Sequence, residues 1–149
     1  MTTAREIMSS KVVTIESNVS AVEIAKIMDK NKVSSVIITK DQIPIGIVTE
    51  RDLVSKIVAQ NKKPSEVKTI EITASPLVVV SPFTPVDEVA EKMTDKKIRR
   101  VVVMDLDQPL GIITVTDFVK HLHGMLADTE NYKQNLYQQL IEDWEHWMS

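Results

Sequence analysis

The sequence predicts an α/β protein made of two copies of one β-α-β-β-α unit, followed by an amphipathic C-terminal helix. Three observations carry this expectation. A gapless shift of 65 residues lays Gly46-Ile47-Val48-Thr49-Glu50-Arg51-Asp52 on Gly111-Ile112-Ile113-Thr114-Val115-Thr116-Asp117, keeping the Gly, the Ile after it, the Thr and the Asp. The continuous apolar runs Val36-Ile37-Ile38 and Val101-Val102-Val103-Met104 read as strands buried on both faces. Between such runs, apolar residues recur at the i, i+3, i+4, i+7 spacing of a helix face.

The same shift extends through the chain. Glu6, Ile7 and Ser10 fall on Glu71, Ile72 and Ser75; Glu23, Ala25 and Met28 fall on Glu88, Ala90 and Met93; Val36, Pro44 and Val54 fall on Val101, Pro109 and Val119. A unit repeated twice suggests a pseudo-twofold pair, since a solenoid needs more units to bury its faces. A unit of about 60 residues is marginal alone, so the copies are expected to share a core. The boundaries read as 1–62 for the first copy, 63–124 for the second and 125–149 for the helical extension.

In chain order, Thr3 and Glu6 fit a capping box for a short first helix. Lys11–Ile15 is a short β-rich run, and Ser17 or Ser20 can cap a helix whose inner face is Ala21, Ile24, Ala25 and Met28. Val36–Thr39 and Pro44–Thr49 are buried strands joined by the polar turn Lys40-Asp41-Gln42. Leu53, Ile57 and Val58 mark the next helix, and Asn61–Ser65 reads as a loop. In the second copy Leu77–Val80 is the short strand. Thr84 caps a helix with Pro85 at its first position and Val86, Val89, Ala90 and Met93 on its inner face. Val101–Met104 and Leu110–Thr114 are the paired strands, and Phe118, Val119 and Leu122 face the core from the following helix. From Asp128 to Met148, Tyr132, Leu136, Leu140, Ile141, Trp144 and Met148 lie at helical spacing, a face broad enough to require docking on its own domain or on a second chain.

Composition narrows the function. Of 149 residues, 43% are hydrophobic and 26% charged, an ordinary globular balance. A net charge of −3 opposes nucleic acid or an anionic membrane as main partner, because both demand a basic face. With no Cys, disulfides, thiolate metal sites and Cys nucleophiles are excluded. No apolar run approaches the ~18 residues of a spanning helix, so the expected location is cytoplasmic. His121 and His123 are two apart and do not share a helix face, so no metal site is expected. No Ser/His/Asp set, paired-carboxylate cleft or phosphate-cradling glycine loop is present, and the protein is not expected to be an enzyme.

The duplicated Gly-x-x-Thr-x-x-Asp carries the remaining chemistry. Thr49 with Asp52, and Thr114 with Asp117, fit a capping box, in which Thr meets the N3 amide and the acid reaches back. Gly three residues before each Thr marks a close backbone approach. A helix N-terminus offers N–H groups to an anion, and a carboxylate there can accept hydrogen bonds from vicinal hydroxyls, which suits a nucleoside.

From Ala4 to about Gly124, including the Ala-Arg-Glu-Ile-Met lead-in and both motifs, the sequence resembles a pair of cystathionine-β-synthase (CBS) domains, the Bateman module. The resemblance implies binding of adenosyl ligands, AMP, ADP or ATP foremost and S-adenosylmethionine or NAD besides, in two clefts, with no cofactor required for catalysis. It implies a regulatory energy or metabolite sensor, a homodimer, and a regulated partner protein. Residue by residue, it implies that Asp52 and Asp117 hold ribose hydroxyls and that Thr49 and Thr114 sit at the ribose–phosphate junction. Val13, Thr14 and Ile15, with Val78, Val79 and Val80, would frame the adenine. The phosphate-contacting positions are Arg99 and Arg100 in one repeat and Ser34 and Ser35 in the other, and they reach toward the opposite repeat's site. Two arginines neutralise phosphate and two serines do not. The Asp52 cleft, facing Arg99 and Arg100, is therefore expected to prefer AMP, ADP or ATP. The Asp117 cleft, with Ser34, Ser35 and Arg51 (whose counterpart is Thr116), is expected to take less charged ligands or none. The competing expectation is a module that only dimerises or docks a partner, independent of ligand.

Overall fold

The protein was analysed as a computed structural model that describes residues 1–125 and 130–148. The chain divides into two compact units, Met1–Ile113 and Thr114–Ser149. The expected α/β architecture is present: two β-α-β-β-α repeats and a C-terminal helix.

In the first unit, a one-turn helix α1 (Ala4–Ile7) precedes strand β1 (Thr14–Glu16). Helix α2 (Ala21–Asn31) crosses to β2 (Ser35–Lys40), which pairs in parallel with β1 through Thr14↔Ile37. β3 (Ile43–Thr49) returns antiparallel through Ile37↔Ile47. The two-residue turn between them holds Asp41 and Gln42 at φ 51° and 68°, the twist that closes a tight hairpin. A short helix α3 (Glu50–Leu53) then widens into a π-helical turn at Val54–Val58, and helix α4 (Thr69–Ile72) opens the second repeat. There β4 (Val79–Val80), α5 (Val86–Lys96), β5 (Arg100–Asp105) and β6 (Gln108–Thr114) repeat the order, with the sheet running β4-β5-β6 and β4 parallel to β5. Leu106 and Asp107 take the turn at φ 49° and 64°, and α2 and α5 both end on a left-handed lysine, Lys32 and Lys97.

Several expectations shift by local chemistry. Thr3 is the N-cap of α1, but its side chain makes no cap; Glu6 N bonds the Thr3 carbonyl instead. Ser20, not Ser17, is the N-cap of α2, also without a side-chain bond. α5 begins at Val86 with Pro85 as its cap, one residue later than expected. The cause is long-range: Thr84 O accepts Ala4 N at 2.8 Å and Val86 N donates to Thr2 O at 3.0 Å, holding Thr84–Pro85 extended. Val58 turns out to solvent, while Ile57 is buried, because the π turn changes the phase of the helix face.

The lead-in segments are exchanged between repeats. Ser9 pairs with Ile112, and sixty-five residues on, Ala74 pairs with Ile47. Likewise Thr3 pairs with Pro85 and Lys68 with Ser20. Each repeat's lead-in therefore hydrogen-bonds to the other repeat. This explains the two glycines. A Cβ on Gly46 would overlap Thr73 and lie 2.5 Å from Ala74 O; one on Gly111 would lie 2.6 Å from both Ser9 O and Met8 Sδ. The close approach read from the sequence is that of the opposite lead-in.

Burial follows the apolar pattern. Ala21, Ile24 and Met28 of α2 pack with Val36, Ile38, Val48, Ile57 and Ile72 in one cluster. A second cluster joins the repeats: Ile37 meets Val102 and Ile112, flanked by Ile47, Leu77 and Val79. The other faces of β5 and β6 bury Val101, Val103 and Ile113, and α5 buries Val89 and Met93. At about 25 cal/mol per Å² of apolar surface, this shared burial is what a lone repeat lacks.

The second unit is helical: α6 (Val115–Met125) and α7 (Glu130–Met148). On the expected apolar face of α6, Phe118 and Val119 are half-buried and Leu122 is 43% exposed. Val119 shares an apolar groove with Tyr137, Leu140, Ile141 and Trp144 of α7, and His123 stacks at a tilt on Tyr137, 5.5 Å between ring centres. Of the expected tail segment, Asp128 lies outside the described residues, as do the side chains of Tyr132 and Met148. Among the described residues no helix is long and apolar enough to cross a membrane.

Candidate functional site

The site is built where β3 runs into α3. Thr49 is extended (φ −114°, ψ 166°) and caps the following turn. Its N–H and hydroxyl both donate to Asp52 Oδ2, at 2.8 and 3.0 Å, and Asp52 N donates to Thr49 Oγ1 at 3.3 Å. The second motif has the same core: Thr114 N and Oγ1 donate to Asp117 Oδ2 at 2.8 and 3.2 Å. The capping box read from the sequence is complete at Thr49 and Asp52, and at Thr114 and Asp117 its carboxylate half is present. It gathers the bonds on one carboxylate oxygen.

A cation reaches the first acid from the other repeat. Arg100, the first residue of β5, donates from Nη1 to Ser34 Oγ at 3.2 Å. Ser34 in turn accepts Glu50 N on its backbone carbonyl at 3.0 Å, which fixes the start of β2 beside the start of α3. Burial lowers the Arg100 pKa from the ordinary guanidinium value, opposed by the charges of Glu50 and Asp52 and assisted by that of Arg99. A half-buried guanidinium facing two carboxylates is a charged site in which cation and anions are set side by side.

The remaining expected residues are distributed as follows. Arg99, which precedes β5, is exposed, and so are Arg51 and Thr116. Ser35 is buried in β2. Val13 and Ile15 pack on the first core cluster, and Val79 packs on the shared cluster; Val78 is half-buried and Val80 buried. Thr14 and Ile15 line a cavity of about 540 Å³ with Glu16, Thr39, Gln42 and Gln108, at the hairpin end of the sheet. Ser34 and Glu50 border a different one of about 520 Å³, with Met28, Val33 and Leu53. The structure therefore gathers Ser34, Thr49, Asp52 and Arg100, and leaves Thr14 and Ile15 in another cavity.

Two participants escaped the sequence reading. Glu50 is the second carboxylate facing Arg100. Lys56 bridges Asp52 Oδ1 at 3.1 Å, and the i, i+4 acid–base spacing is the signal that could have found it. Among the described residues no cluster of His, Asp or Glu could hold a metal ion.

The family model for the CBS domain matches residues 4–59 and 67–124. The Methanopyrus kandleri protein MK0525 is 37% identical over 138 residues, covering 91% of this chain and 70% of its own. The hexameric CBS-CP12 protein from bloom-forming cyanobacteria superimposes with a TM-score of 0.77 and 32% identity, over 96% of this chain and 84% of that one. The CBS domain pair of protein MJ0100, solved in complex with 5′-methylthioadenosine and S-adenosyl-L-methionine, superimposes with a TM-score of 0.73 and 32% identity, over 84% of this chain and 98% of that one. The chain belongs to the CBS domain family, as a tandem pair.

Proposed function

We propose that this CBS domain pair is a regulatory module that binds an adenosyl ligand at Asp52, with AMP, ADP or ATP preferred there, and performs no chemistry of its own. The observation that carries the reading is the convergence of Arg100 and Ser34 on Asp52 and Glu50. Ribose hydroxyls would take the carboxylate, and a phosphate would take the guanidinium. The complex of the MJ0100 pair with two adenosyl compounds supports the ligand class. Asp117, held by Thr114 in the same way, is the corresponding acid for a second ligand. The hexamer formed by CBS-CP12 supports self-association, with a homodimer as the smallest form.

Calorimetric titration of AMP, ADP, ATP and S-adenosylmethionine into the wild type, Asp52→Ala and Asp117→Ala tests the assignment. AMP binding is expected to disappear in Asp52→Ala and to persist in Asp117→Ala; the reverse result overturns it. The apolar groove between α6 and α7 favours a second reading, a ligand-independent interaction module. A thermal-shift panel separates the two, because ligand at ~100 times its dissociation constant stabilises by about 2.7 kcal/mol. No shift with any adenosyl compound selects the second reading.

A further inference from the structure

The capping box occupies only Oδ2 of Asp52. Its other oxygen, Oδ1, is held by Lys56 Nζ at 3.1 Å, the two side chains being 40% and 16% exposed. The same ammonium donates to the Ile72 carbonyl at 3.2 Å. Ile72 ends α4, and two residues later Ala74 exchanges backbone hydrogen bonds with Ile47, at 2.9 and 3.1 Å. One side chain thus joins the acid of the first repeat to the segment that enters the second. Lys56 sits in the π-helical turn, and it borders a cavity of about 280 Å³ that Gln60, Lys62 and Glu71 also line.

A carboxylate has about four acceptor positions. Thr49 takes two on Oδ2 and Lys56 takes one on Oδ1. A vicinal diol needs two, so it meets the ammonium. The second motif has His121 where the first has Lys56, and among the described residues Asp117 has no ion-pair partner.

We propose that Lys56 is a positioning residue with two stations. In the first it clamps Asp52 to the end of α4. A ribose diol arriving at Oδ1 moves it into the adjoining cavity toward Glu71, which releases the Ile72 carbonyl and loosens the Ala74–Ile47 pairing. The ammonium keeps a carboxylate partner at both stations, so the diol's preference for the released state sets the balance. This rests on the adenosyl reading of the Asp52 site, and it makes occupancy of that site readable in the second repeat's lead-in.

The test combines amide hydrogen exchange with calorimetry on the whole chain in an Asp117→Ala background, with adenosine as the diol probe and 2′,3′-dideoxyadenosine as the probe lacking it. Without ligand, Lys56→Met is expected to exchange the Ala74 amide about three- to fivefold faster, with Lys56→Arg restoring the slow rate. Adenosine should produce the same acceleration in the lysine protein and no further one in Lys56→Met, while the dideoxy compound produces none. Adenosine should bind Lys56→Met about threefold more tightly, and Glu71→Gln should weaken it without changing exchange in the free protein. An unchanged Ala74 rate in free Lys56→Met overturns the clamp. Weaker adenosine binding in Lys56→Met overturns the release, because Lys56 would then be touching ligand. If neither adenosine nor AMP binds the lysine protein, the adenosyl reading and the release fall together, and the exchange rates without ligand still decide the clamp.

Discussion

The two Thr-x-x-Asp turns share their threonine-to-carboxylate bonds to within 0.2 Å, yet the acids keep different company. Asp52 has Lys56 on its second oxygen and Arg100 and Glu50 close by. Among the described residues Asp117 has its threonine. The backbone device that presents the acid depends on four short-range atoms, so it tolerates change around it. The charges that would select a ligand come from positions the repeat does not keep, Glu50 within the motif and Lys56 and Arg100 outside it, and those have diverged. In a duplicated protein the repeat reports how a group is held, and the departures from repetition report what it is held for.

The largest expected effect comes from the place where the repeats cannot be told apart, the shared core. Ile37→Ala should destabilise the protein by about 2–5 kcal/mol, and its counterpart Val102→Ala by less, because the valine side chain is smaller by a methylene group. Both are fully buried in one cluster. Urea unfolding should stay a single transition in each variant. Two separated transitions would show that the repeats fold independently.

Next are the glycines. Gly46→Ala should cost about 1–3 kcal/mol through overpacking, since its Cβ would meet the backbone of Ala74. Gly111→Ala should fall lower in that range, because one of its two near neighbours is the flexible thioether of Met8. Equal midpoints in denaturant would remove the asymmetry. The smallest expected effect is the most selective: Arg100→Gln should weaken AMP about tenfold, while Arg99→Gln, altering an exposed side chain, leaves it within about twofold. Calorimetry that finds the two arginines equivalent would mean the phosphate does not enter between the repeats.

Much of this was legible in the chain itself. The 65-residue shift located both hairpins, both crossover helices and both capped acids, because each depends on residues within a few positions of one another. The Ser34–Arg100 asymmetry was visible too, although only coordinates show that Arg100, not Arg99, makes the contact. What stayed hidden is long-range. The Ser9–Ile112 and Ala74–Ile47 pairings involve single residues, with no run of alternation to announce them. They set the opposite lead-in against the two glycines, and the equally isolated Thr3–Pro85 bridge displaced the start of α5 by one residue. The face of α6 shows a related limit: spacing identifies an apolar stripe without naming what it meets, and Val119 shares a groove with α7.

The exchanged lead-ins bear on ancestry. A chain holding one copy would leave its glycine opposite empty space and its own lead-in without a strand to join. Two such chains placed side by side satisfy both by trading arms, so the architecture is attainable as a pair of short polypeptides before any gene fusion. Joining them then requires only a tether across the exposed stretch 59–66, which carries no buried side chain. Once tethered, the halves no longer have to stay identical, and each acid is at liberty to acquire its own neighbours.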